Sequence, residues 1–471
     1  MPNIRPGIDD DPADFMLLAK LNLPFDDRQR AIAVLQELQK VQVEKVDPAR
    51  IFAMTRDPDL TPRPQLVVGD LRLNLLVGFG LPFFLGPLGS KGRQNEQPVA
   101  NFPPGGAFVP RPATRFGMAD RAVPLYLRTM AAAGDLDWVK STLAPPAGGQ
   151  AVADDVVQAA YTRWLAAGEA DLLLQMECEN LYLLIDLWDT IRRRVVDPNG
   201  LEIVGLQEGF SRGDAKTHIG FFDGTSNLQQ KMRDDPLWYR SHIYLPTPGP
   251  AYPGHAIEAA GDKLQVRDDP RYDGGTYLAY RKYGFNLDAW NADNFTINDA
   301  AGKAYHGETA RRRAIGRDPE SGKAISRFSH KTLEAEPDYT EINLTFDESH
   351  ALKARGGSTV PFMGPFPPVK VGHSNAFNTQ DIRIRRRGIS YAELDSATGK
   401  VDYGLHFICF QNNIQQTGFE FINNVWLFNP DFRRSVDGLL NPVGRIVRPL
   451  EGAYFFVPPE QHSYPGDVFF E

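Results

Sequence analysis

A chain of 471 residues, 42% of them hydrophobic, is long enough to bury one large core or two smaller ones. With 51 Lys+Arg against 59 Asp+Glu the net charge is -8, which excludes a general affinity for nucleic acid or other polyanions. Cys178 and Cys409 are the only cysteines and lie far apart, so a disulfide framework and a zinc cluster are also excluded, and a reducing compartment is the simpler setting.

Residues 1–23, "MPNIRPGIDDDPADFMLLAKLNL", carry acids where an export signal needs basic residues, and Lys20 interrupts the short apolar run. No cleaved signal is expected, and the expected location is the cytoplasm. From Asp26 to Gln42 the apolar positions Ala31, Val34, Leu35, Leu38 and Val41 recur at helical spacing, which predicts an amphipathic helix. Leu73 to Ser90 is uncharged and approaches the length of a membrane span, but Gly78, Gly80, Pro82, Gly86, Pro87 and Gly89 break it. It reads as a buried strand followed by a loop, and no membrane span is expected. Residues 91–114, rich in Gly, Pro, Asn and Gln, read as a long surface loop.

A strand-like run then feeds a helix-like run twice. "ADLLLQMECEN" leads into Leu181–Val195, and "YGLHFICFQNN" leads into Ile414–Trp426, with further strands expected at Leu201–Phe210 and Gly274–Tyr283. Strands that feed helices without a Gly-rich phosphate turn predict an α+β fold of two related halves, each with helices on one face of an antiparallel sheet. The boundary is placed near residue 235, within "KMRDDP".

Three residue types invite chemistry. Asp223 stands in "THIGFFDGTSN", where Asp-Gly is an ordinary turn and Asn227 helps to close it. The preceding Phe221 and Phe222 point the other way, because aromatic neighbours strip a carboxylate of hydration and raise its pKa, as a general acid/base requires. In "DIRIRRRGISY" (381–391), strand alternation puts Ile382, Ile384 and Arg386 on one face and Arg383, Arg385 and Arg387 on the other. Arg386 is therefore expected to follow two apolar residues inward, either into a structural salt bridge or toward a substrate on which charge develops. The nine histidines show no HxH or HExxH spacing, so zinc is not expected, although a single histidine suffices as an axial ligand of haem. His350 and His373 both precede the arginine strand.

Together these residues resemble the dye-decolourising peroxidase family. Gly220-Phe221-Phe222-Asp223-Gly224 is similar to the family's GxxDG motif. "LVGFG" (76–80), "LQEGF" (206–210), "GGTYLAYRK" (274–282), "IRRRGISY" (384–391), "GLHFICFQNNIQQTGFEFI" (404–422) and "YFFVPP" (454–459) resemble family blocks in family order, over about residues 70 to 460. The resemblance implies two ferredoxin-like domains with antiparallel sheets and a haem b cavity in the C-terminal half. It divides the chain into an N-terminal extension with an amphipathic helix (1–69), an N-terminal ferredoxin-like domain (70–235) and a C-terminal haem-binding domain (236–471).

Carried over onto matching positions, Asp223 is implied as the distal acid/base and Arg386 as the distal arginine. The proximal histidine departs from the family's pattern of His followed by an Asn-Pro-Arg-like segment. His373 keeps Asn378 but has Thr379-Gln380 in place of Pro-Arg, while His350 keeps Lys353 and Ala354 and then runs into Arg355-Gly356-Gly357. His373, with its shorter connection to Arg386, is the preferred ligand of the haem iron, and His350 the alternative. The implied reaction uses hydrogen peroxide to oxidise dyes, phenolics, Mn²⁺ in some members, or another reducing substrate, with an acidic optimum because a carboxylate stays ionised where a histidine is protonated. Tyr391 is a candidate for surface electron transfer, although a tyrosine on a sheet is more often packing. A haem-handling protein without turnover is the alternative reading; it needs a proximal histidine but not both Asp223 and Arg386.

Overall fold

The computed structural model describes residues 8, 13–46, 73–85, 88, 168–214, 216–222, 236–245, 258–259, 262–263, 274–334, 344–355, 384–396, 398–412, 414, 418–427, 435, 437–440, 446–459 and 463–470. The first strand, β1 (Phe15–Asn22), lies inside the segment before residue 70 and enters the main sheet between two others. Helix α1 (Arg28–Val46) follows it, and Ala31, Val34, Leu35, Leu38 and Val41 are all fully buried, as the helical spacing predicts. Next come β2 (Leu73–Gly80), a short helix Leu81–Leu85 and β3 (Leu172–Cys178). Helix α2 (Leu181–Ile191) is capped by Asn180, whose side chain accepts from the amides of Tyr182 and Leu183. It runs through a π-turn, Arg192–Val196, to a left-handed Gly200 and into β4 (Glu202–Phe210).

After the helix Pro236–Ile243 come the hairpin strands β5 (Glu258–Ala259) and β6 (Asp262–Lys263), then the long strand β7 (Thr276–Phe285). A second hairpin, β8 (Thr296–Asn298) and β9 (Ala304–His306), leads to α3 (Gly307–Ile315) and, later, α4 (His350–Arg355). The chain closes with β10 (Arg385–Arg386), β11 (Ile389–Leu394), β12 (Val401–Gln411), the helical turns Phe419–Phe421 and Ile422–Leu427, and β13 (Val447–Val457). The twofold strand-then-helix succession is present: β3 feeds α2, and β12 feeds the turns at 419–427.

One antiparallel sheet carries nine of these strands, in the order β10-β12-β7-β13-β2-β3-β1-β4, with β11 also on β12. The halves meet where β13 pairs with β2, at Phe455–Phe456 against Phe79–Gly80. The sheet curls until β4 approaches β11: the Glu208 carbonyl oxygen lies 3.2 Å from His406 Nε2, and a Cβ on Gly209 would stand 2.4 Å from Ile389 Cγ2. Alternate residues therefore point into the curl or out of it. Met16, Leu18, Leu76, Leu173, Ile408 and Phe455 meet on the inside. On the outside, one apolar cluster lies under α1 and α2 and a second under α3 and the turns at 422–427.

The inside also holds charge. Lys20 pairs with Glu451, Arg387 with Glu177, and Lys282 Nζ with Glu393 at 2.7 Å and with Gln207 at 2.8 Å. Each link joins a strand of one half to a strand of the other or, for Lys282 and Glu393, two strands of the second half. His406 lies against the tilted ring of Tyr391 (4.6 Å between centroids) and receives the Tyr280 hydroxyl on Nδ1 at 3.3 Å, while Nε2 faces the Glu208 carbonyl. Burial, with Lys282 and Lys20 nearby, pushes the His406 imidazole down to about 3. The unfolded chain takes up this proton below about pH 6.5 and the folded chain does not, so acid costs about 1.4 kcal/mol per pH unit at this site. Denaturant midpoints at pH 7 and pH 5 are expected to fall with acid in the parent, and to fall less in His406→Gln; equal slopes would remove His406 from the account. Tyr391 is fully buried on this inner face, so it is packing and not a surface residue.

Candidate functional site

Three segments converge on the outer cluster of the C-terminal half. The stem leading to residue 223 is the first. Gly220 takes a positive φ of 82°, its amide donates to the Thr217 carbonyl at 2.9 Å, and the Thr217 amide donates to the Phe221 carbonyl at 2.9 Å. Ile219 and Phe221 are buried in the cluster, and Trp290 Nε1 donates to the Ile219 carbonyl at 3.0 Å. Phe222 points the other way and is exposed, so one aromatic of the expected pair is buried and the other is not. Asp223 itself lies outside the described residues, as do His373 and the 91–114 segment.

The second segment is the arginine strand. Alternation is as expected, but the buried side is the opposite one: Arg385 and Arg387 are 4% and 0% exposed, and Arg386 is exposed. The sequence takes the face of Ile382 and Ile384 as the inward one and so puts Arg386 inside and Arg383, Arg385 and Arg387 on the other face. Here Arg387 finds Glu177 inside the curled sheet, and that pairing reverses the sense of the strand. Arg386 consequently stands on the outer face opposite Cys409, on a backbone held to β12: Arg385 and Arg386 pair with Phe410 and Cys409, and the Arg387 amide donates to the Ile408 carbonyl at 2.8 Å. Ile384, just before it, packs half-buried on the same cluster as Phe221.

The third segment is α4. His350 opens the helix and its Nδ1 lies 3.0 Å from Asp437 Oδ2. Asp437 is 1% exposed, and its Oδ1 accepts from the amides of Leu439 (2.9 Å) and Leu440 (2.7 Å). A buried carboxylate held by two amides fixes the ring and the tautomer, keeps the proton on Nδ1 and leaves Nε2 as the nitrogen available to a metal. Ala354 of the same helix touches the cluster that holds Ile384, Leu405, Phe407 and Leu439, all of them half-buried. Sequence reasoning ranked His350 second and did not find Asp437; the two are 87 residues apart, and only the fold joins them.

The arrangement fits a flat apolar group with one metal ion: half-buried apolar side chains, an oriented imidazole whose Nε2 has no hydrogen-bond partner among the described residues, and an exposed arginine on a strand paired with β12, all on one side of the sheet. Residues 369–462 match the family model described as "Dyp-type peroxidase, C-terminal". Among solved structures, a DyP-type peroxidase from Cellulomonas bogoriensis is 19% identical at a TM-score of 0.52, covering 100% of this chain and 96% of its own. Ferric DtpA from Streptomyces lividans is 18% identical at a TM-score of 0.55, over 99% of this chain and 95% of its own. A DypB variant from Rhodococcus jostii in complex with heme is 15% identical at a TM-score of 0.52, over 100% and 99%. No curated protein matches the chain.

Proposed function

We propose that the chain, whose residues 369–462 match the DyP-type peroxidase C-terminal model and whose fold is that of DyP-type peroxidase structures, is a haem peroxidase that reduces hydrogen peroxide and oxidises a dye, a phenolic or a similar reducing substrate. The observation that carries the reading is the convergence of the Asp223 stem, the Arg386 strand and the His350–Asp437 pair on one apolar cluster. Haem-handling without turnover needs the histidine alone and gives no role to an arginine whose strand packs, through Ile384, on the same cluster as α4.

Haem b, when bound, supplies the iron at which peroxide is reduced. Asp223, which follows the stem whose Ile219 carbonyl accepts from Trp290, would take a proton from peroxide and return it to the departing oxygen. Arg386 stands on a strand paired with β12, and its guanidinium would stabilise the negative charge that develops as the O–O bond breaks. Asp437 accepts from His350 Nδ1 and so strengthens Nε2 as a ligand. Of the two histidines considered for the iron, His373 matches one residue of the family pattern, and the carboxylate partner favours His350.

Haemin titration of His350→Ala and His373→Ala separates them. His350→Ala is expected to lose the axial-histidine spectrum and to bind haemin at least about 10-fold more weakly, with His373→Ala like the parent; the reverse outcome assigns the iron to His373. Among the described residues no helix is long and apolar enough to cross a membrane.

A further inference from the structure

Helix α3 ends against both partners of the His350–Asp437 pair. A Cβ on Gly438 would stand 2.6 Å from Ala314 Cα and 3.1 Å from the Ala314 carbonyl oxygen, so the loop carrying Asp437 rests on the helix backbone with no room for a methyl group. A Cβ on Gly316, the left-handed residue that ends the helix, would stand 2.6 Å from Ser349 Cβ, one residue before His350. Between these contacts Arg313 Nε donates to Glu348 Oε1 at 2.6 Å, with both side chains buried. Its guanidinium lies over the rings of Tyr305 (3.8 Å) and Phe346 (4.2 Å). The Glu348 carbonyl accepts from the Gly438 amide at 2.8 Å, and Lys353 of α4 reaches the Ser435 carbonyl. The turn before His350 and the loop around Asp437 are thus tied to each other and to Arg313.

From this we infer that Arg313 is a positioning residue for the proximal side: acting through Glu348, it holds the His350 turn and the Asp437 loop in register and so sets the hydrogen bond that orients the His350 imidazole. A carboxylate that accepts from Nδ1 makes Nε2 a stronger donor, and a hydrogen bond depends steeply on distance and angle, so small slippage between the two segments changes the ligand. The planar fork of Arg313, held between two rings, restricts such slippage in a way that a flexible ammonium does not. The inference rests on His350 being the iron ligand.

The test is resonance Raman spectroscopy of the ferrous, haem-loaded protein, reading the iron–histidine stretching band in Arg313→Met, Arg313→Lys and, as the reference for a lost hydrogen bond, Asp437→Asn. Arg313→Met is expected to shift the band down in the direction of Asp437→Asn and to weaken haem retention about 10-fold, with Arg313→Lys in between. A band that moves in Asp437→Asn but not in Arg313→Met overturns the inference and leaves the His350 reading intact. A band that moves in neither overturns that reading itself. Where Arg313→Met does not yield folded protein, Glu348→Gln, which keeps the carbonyl that accepts from Gly438 and removes the ionic link, is measured in the same way and judged by the same outcomes.

Discussion

Asp223→Asn is expected to slow the reaction with hydrogen peroxide by about 100- to 10,000-fold while haemin binding stays at the parent level. The substitution keeps the size and much of the hydrogen bonding of the side chain and removes its ability to take a proton. The His350–Asp437 hydrogen bond, proposed to orient the iron ligand, is made by other residues. Stopped-flow mixing of the haem-loaded variant with peroxide gives the rate directly. A parent-like rate would return Asp223 to the role of a turn former and leave proton transfer to another group. With Asp223 as the base the reaction is expected to have an acidic optimum, because a carboxylate is still ionised at pH values where a histidine base would be protonated. At His406 acid opposes folding, since the buried imidazole resists the proton that the unfolded chain takes up below about pH 6.5.

Glu177→Ala is expected to have the largest effect on stability, a loss of about 3–5 kcal/mol. Glu177 on β3 and Arg387 beside β10 pair inside the curled sheet at 2% and 0% side-chain exposure, and Gln175 donates to the same carboxylate at 2.6 Å. Truncating the acid leaves a guanidinium charge in a region that water does not reach, and it also removes a tie between the two halves. The denaturant midpoint should fall accordingly. Glu177→Gln should fall less, because the amide still offers an oxygen to the guanidinium. Because Arg387 is next to Arg386, the truncated variant should also react more slowly with peroxide under conditions where it remains folded. An unchanged midpoint in Glu177→Ala would mean that the pair contributes nothing net and that apolar contacts alone, such as Phe455 against Leu76 and Leu173, hold the halves together.

How much of this was legible in the sequence follows from the range of each interaction. The α1 stripe, the strand at 73–80 and the strand-then-helix pairs depend on neighbours within a few residues, and periodicity reports them faithfully. β1 was harder to read because Lys20 looks like a break in an apolar run. It is a fully buried strand residue whose partner, Glu451, lies 431 positions away. The arginine strand shows the same limit. Its alternation is local and was legible, but which face is buried depends on Glu177, 210 positions away, so the sequence alone assigned Arg386 to the interior and the fold places it on the outer side. The choice between His350 and His373 turned on motif matching for the same reason. The Asp437 carboxylate that distinguishes His350 becomes its neighbour only when α4 and the 437–440 loop meet on α3.

The most direct test of the central claim is the optical spectrum of the haem-loaded protein before and after one equivalent of hydrogen peroxide at mildly acidic pH. The account predicts a sharp Soret band that weakens and shifts on mixing and is restored when a reducing dye or phenol is added. A Soret band that peroxide leaves unchanged would contradict it and identify a protein that holds haem without turning over peroxide.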